Sequence, residues 1–183
     1  ATIGLGKSGD TLTVPSGATL TIAGTINAST GTATGFSSGD NTPSFKATCS
    51  GTTTVANDAN VLVQFDTESW DTDSAFDSST NYRFTVPSGE AGKYFFGASI
   101  ELNMTSAVGS TRCQIWKNGS TAIRSNQGGQ SYYHSTATYG VLNMAVGDYV
   151  EAYINANIDS GTFTTLSSAS GTQTRFSGYR IGA

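Results

Sequence analysis

The chain has 183 residues and a mass of 18.9 kDa, enough for one domain with a substantial core. Only 12% of it is charged, and nine Phe, eight Tyr and two Trp exclude charge-driven disorder, while 28 Thr, 24 Ser and 22 Gly favour strands and tight turns. A net charge of −4 with singly scattered basic residues excludes a nucleic-acid face, and no apolar run approaches the roughly 20 residues of a membrane span.

Residues 1–42 carry an imperfect repeat, in which Thr11-Leu12-Thr13-Val14 is echoed eight positions later by Thr19-Leu20-Thr21-Ile22. Apolar residues alternate with Thr in each copy, the period of a half-buried strand. Two short strands cannot bury Leu12, Val14, Leu20 and Ile22 by themselves. They need partners, either the main domain or copies from other chains, and the expectation is that other chains, further copies or a partner protein, cover these four, which anchor the protein. Residues 27–42 read as a linker of small and polar residues. The start of the chain lacks the charged-then-apolar pattern of a signal peptide.

From Pro43 to the end, strand signals recur between turn residues, the pattern of a sandwich or barrel. Eight strands are expected, over 44–50, 61–66, 82–87, 93–102, 111–117, within 132–145, 148–158 and 174–181. In the fourth, Tyr94, Phe96, Ala98, Ile100 and Leu102 share one face. In the seventh, Val150, Ala152, Ile154, Ala156 and Ile158 do the same. No segment has a helical period. Cys49 and Cys113 both alternate with apolar neighbours and are expected in the core, with the question of a bridge left open.

Several spaced stretches resemble the C1q-like domains related to tumour necrosis factor. Pro43-Ser44-Phe45-Lys46-Ala47 and Val61-Leu62-Val63-Gln64-Phe65 resemble that family's first two strands. Tyr82-Arg83-Phe84-Thr85-Val86-Pro87 with Gly92-Lys93-Tyr94-Phe95-Phe96 is the most specific stretch. Ile115-Trp116-Lys117-Asn118-Gly119, Gly147-Asp148-Tyr149-Val150 and Arg175-Phe176-Ser177-Gly178-Tyr179-Arg180-Ile181 follow in the family's order. The resemblance implies an all-β, ten-stranded jelly-roll sandwich over residues 43–183 that assembles as a homotrimer. Low charge on the non-core faces, for example at Tyr139, Val141 and Asn143, agrees with a permanent interface. The N-terminal segment resembles bacteriophage tail-fibre shafts and linkers. Together these imply a virion surface protein, bound to other virion proteins through its N-terminal segment.

Chemistry is sparse. The single histidine, His134, has no motif around it, and the string Gly35-Phe36-Ser37-Ser38-Gly39 lies in the linker, without the strand and helix of a nucleophile elbow. Gly4 to Gly9 fits a dinucleotide-binding string but lacks its flanking strand and helix, and the cysteines lack zinc spacing. Asp66, Glu68, Asp71, Asp73 and Asp77 offer oxygens to calcium, yet they lack the turn glycine and final glutamate of an EF-hand loop. A solvated loop is the expected reading, with calcium as the alternative and no other cofactor. The expected function is non-enzymatic: a tail-fibre or spike head that recognises a host surface glycan or protein. A capsid decoration protein or head fibre is the first alternative. A secreted C1q-like lectin or ligand is the second.

Recognition is expected in long loops at the end opposite the N-terminus, over 119–131 and 159–171. The candidate residues are Asn126, Gln127, Gln130, Tyr132, Tyr133 and His134, since aromatic rings with nearby amides suit carbohydrate and protein surfaces.

Overall fold

The computed structural model describes residues 41–103, 108–130, 133–158, 162–165 and 174–182, all in one compact unit, Gly39–Ala183. Leu12, Val14, Leu20 and Ile22 lie outside the described residues, as does Tyr132.

Thirteen strands are present among the described residues: β1 (Ser44–Thr48), β2 (Thr54–Ala56), β3 (Val61–Leu62), β4 (Thr67–Asp71), β5 (Phe76–Asp77), β6 (Arg83–Thr85), β7 (Gly92–Asn103), β8 (Val108–Lys117), β9 (Ser120–Gln130), β10 (Tyr133–Met144), β11 (Tyr149–Ile158), β12 (Thr162–Thr165) and β13 (Arg175–Gly182). A seven-stranded sheet runs β2-β12-β7-β13-β1-β4, with β10 also paired to β7. A six-stranded sheet runs β5-β6-β11-β8-β9, with β3 also paired to β11. Every pairing is antiparallel.

Alternation decides which side of each sheet is dry. Tyr94, Phe96, Ala98, Ile100 and Leu102 of β7 are buried, and so are Val150, Ala152, Ile154 and Ala156 of β11. Between the sheets Phe45 is the hub. Its ring lies 4.8 Å from Phe76, 5.0 Å from Phe84 and, edge-on, 5.0 Å from Phe176. Such offset and T-shaped contacts add about 0.5–1.5 kcal/mol per pair beyond area burial. Cys49 and Cys113 are buried, free thiols, which settles the bridge left open by the sequence.

Three expectations are corrected. The stretch 119–131 is not a loop, because its residues 120–130 form β9, paired with β8 from Lys117↔Ser120 to Val108↔Gln130. Its Ser, Asn, Gln and Gly composition reads as a loop, yet a sheet-edge strand needs few apolar side chains once its backbone is paired. Residues 162–165, placed in a second tip loop, form β12 against β2 and β7. The connection 87–92 lies at the N-terminal end of the sandwich rather than the far end, for Gly92 opposes Met144 and Glu90 pairs with Arg180. The short strand β5 inserts one unexpected reversal and β9 inserts a second, which restores the expected direction from β10 onward.

Candidate functional site

At the far end, the C-terminal end of β9 and the start of β10 come together, because Tyr133 opposes Asn103 and Gln130 opposes Val108. Gln130 and Tyr133 therefore lie at the end of the sandwich opposite Ser44. Asn126 and Gln127 instead sit within β9, opposite Arg112 and Thr111, and both are exposed. As neighbours on a strand they project to opposite faces.

His134 differs from the expectation of a surface contact. It is only 6% exposed, and its Nε2 lies 2.9 Å from Thr111 Oγ1 on β8, a bond that joins the two sheets. Burial holds its pKa below the usual imidazole value. His134, Thr136 and Thr138 oppose Leu102, Ile100 and Ala98, so they share the inward face of β10. Thr136 Oγ1 is buried without a hydrogen-bond partner among the described residues.

The outward face of the seven-stranded sheet carries an apolar surface that pairing registers assemble from distant parts of the chain. One row runs Ser44–Tyr179–Phe95–Val141 across four strands. The next runs Trp70–Lys46–Ser177–Gly97–Tyr139 across five. Tyr139 is 73% exposed, Val141 55% and Trp70 50%. Ser177 and Gly97, being small, leave a trough between the aromatic residues at its two ends. A cavity of about 510 Å³ occupies the Trp70 end of the trough, and one of about 220 Å³ the Tyr139 end.

The outward face of the six-stranded sheet is polar and internally bonded. Trp116 stacks on Tyr153 with centroids 4.1 Å apart and donates from Nε1 to Gln114 Oε1. Gln114 donates to Asn60, Arg112 donates to Asn155, and Arg83 lies over the Tyr149 ring at 4.3 Å while facing Glu151. Asn126, opposite Arg112, borders this network.

The five clustered acids are spread over β4, β5 and the adjoining turns. Asp66 accepts from Ser50 and Thr67, Glu68 from Ser78, and Asp71 from the Phe76 and Asp73 amides. Asp73 accepts from the Thr72 hydroxyl. Asp77 accepts from Thr80, Ser79 and Asn81, which depress its pKa. Among the described residues no three metal-ligating side chains converge.

Solved structures share this arrangement of strands. Murine APRIL aligns with 75% of this chain and 97% of its own, at a TM-score of 0.57 and 14% identity. Eiger, a TNF from S. frugiperda, aligns with 76% of this chain and 92% of its own, at a TM-score of 0.56 and 12% identity. The fold is a TNF-like jelly roll. The expected all-β jelly-roll class is thus observed, and identities this low carry the fold alone. The globular domain of zebrafish complement 1qA aligns at a TM-score of 0.47 and 16% identity, covering 76% of this chain and 98% of its own. No family model matches the sequence, and no curated protein does.

Proposed function

We propose that this jelly roll is a non-enzymatic, homotrimeric head on the surface of a bacteriophage virion, a tail-fibre or spike head that contacts the host cell. The observation that carries the assembled state is the apolar outward face of the seven-stranded sheet. Large apolar side chains left in water across several adjoining strands are the mark of a surface made for a partner. Three copies repeat any weak surface contact three times, and effective concentration then raises the strength of attachment.

The N-terminal segment, with Leu12, Val14, Leu20 and Ile22, is the anchor to other virion proteins in this reading. Recognition falls to Gln130 and Tyr133 at the far end, to Asn126 and Gln127 along β9, and to Tyr132, against a host glycan or protein. Buried His134 is not among the residues in contact.

The test is adsorption. Particles in which these five residues are replaced together by Ala or Ser adsorb poorly to host cells while the head keeps its melting temperature. Unchanged adsorption by a well-folded variant refutes the recognition role. Counting copies per particle separates the alternatives: few trimers mark a tail appendage, and many mark capsid decoration. A chain missing from purified particles but secreted by cells supports the lectin or ligand reading instead.

A further inference from the structure

We propose that His134 is an acid-released latch, which holds the far halves of β9 and β10 against β8 when neutral and frees them when its ring is protonated. His134 is the sole histidine of the chain and is 6% exposed. Its 2.9 Å contact with Thr111 Oγ1 crosses from one sheet to the other. Thr111 is itself 1% exposed, so the bond is made away from water.

A neutral imidazole donates through one nitrogen and accepts through the other, and this suits a single hydroxyl partner. Taking a proton from solvent makes both nitrogens donors and puts a positive charge between the sheets. On β7 the inward neighbours are Leu102 and Ile100, which offer nothing to a cation. On β8 the inward neighbour is Cys113, whose thiol burial pushes up to about 12, so it stays uncharged. Arg112 of β8, Arg124 of β9 and Glu101 of β7 each alternate with inward residues and belong to the outward faces. On β11, Glu151 and Tyr153 bond to each other on the outward face. Among the described residues, therefore, no carboxylate faces the ring from these strands, and a buried unpaired charge is costly, which favours conformations that expose the ring to water.

The rest of the end is poorly secured. Thr136, the next inward residue of β10, has its hydroxyl buried and, among the described residues, unpartnered opposite the apolar Ile100. Ser125 of β9 donates to Ala137 O at 2.6 Å, so β9 moves with β10. Released, the two strands uncover the inward faces of β8 and β11. The latch stands on this geometry whatever the far end recognises.

Two measurements on the full chain test it. The single imidazole gives one set of ring resonances, and its titration by NMR is expected to lie below the ordinary histidine value. Hydrogen exchange, corrected for intrinsic rates, is then followed from roughly pH 7.5 to pH 5 in peptides covering 120–138, with 175–182 as internal reference. Opening of 120–138 is expected to rise by up to about tenfold for each pH unit between the ordinary imidazole value and the lower folded one, then to level off, while the reference stays flat. His134→Gln keeps a partner for Thr111 without a titrating ring and is expected to abolish the rise. Constant protection of 120–138, or the same acid response in His134→Gln, overturns the latch. Should that variant not fold, the wild-type ring decides. Titration at or above the ordinary value, or titration below it without opening, overturns the proposal equally.

Discussion

Phe95 and Tyr179 lie on neighbouring strands of the seven-stranded sheet with ring centroids 5.4 Å apart, on the side that faces away from the core. Tyr139 approaches the other side of Phe95 at 6.4 Å, so three aromatic rings from β13, β7 and β10 form one outward cluster. Burying such a cluster yields about 25 cal/mol for each Å² removed from water, and only a partner removes it.

The first prediction is that the chain in solution is a single species near three times 18.9 kDa. Replacing both Tyr139 and Val141 by Glu should dissociate it, since like charges at the centre of an interface are desolvated without a partner. Light scattering coupled to gel filtration reads the mass. A wild-type monomer at micromolar concentration rules out this use of the surface.

Gly178 packs directly against the aromatic core. A Cβ there would stand 2.9 Å from Phe45 Cε1 and closer still to the Phe96 ring. Gly178→Ala should therefore cost about 1–3 kcal/mol in urea unfolding, as overpacking displaces the hub of the aromatic cluster. Gly51, with nothing within 4 Å of its would-be Cβ, is the control. Its Ala variant should stay within about 0.5 kcal/mol of wild type.

Asp148 contributes stability that acid removes. Hydrogen bonds from Lys117, Asn118 and the Ala145 amide hold its carboxyl down to about 2 from an ordinary 3.8. Because the folded value is the lower one, the contribution is complete above 3.8 and fades as pH falls through about 2. Asp148→Asn should lower stability near neutrality by about 1 kcal/mol and flatten the slope below pH 4. Parallel slopes for variant and wild type would show that these bonds do not carry acid sensitivity.

Both thiols are expected to be silent. Burial pushes Cys49 and Cys113 up to about 12, so neither supplies thiolate near neutrality. A chromogenic disulfide reagent should react with neither in the folded protein and with both after denaturation. Prompt reaction of either folded thiol would place it at the surface.

Much of the fold was legible where one face of a strand is dry. The alternations of β7 and β11 identify their buried sides from residue type alone, because the period of two is intrinsic to the pleat. β9 was missed, although Asn118-Gly119 is a hairpin signal: both residues take positive φ, 49° and 77°, the conformation that joins paired strands. The candidate site was less legible. Asn126 and Gln127 share a strand with Gln130, yet alternation sends the first two to opposite faces, and His134 points inward because its register partner Leu102 does.

The sequence by itself determined the β class and the inward faces of β7 and β11, because these depend on local propensity and period. Tertiary structure alone decided which strands became neighbours. Only that pairing sets Tyr179 beside Phe95 and Phe95 opposite Val141, making one apolar surface from residues far apart in the chain. Only it brings Thr111 to His134 across the interior. Contacts of this kind depend on register and sheet order, which long-range packing selects and no local pattern encodes.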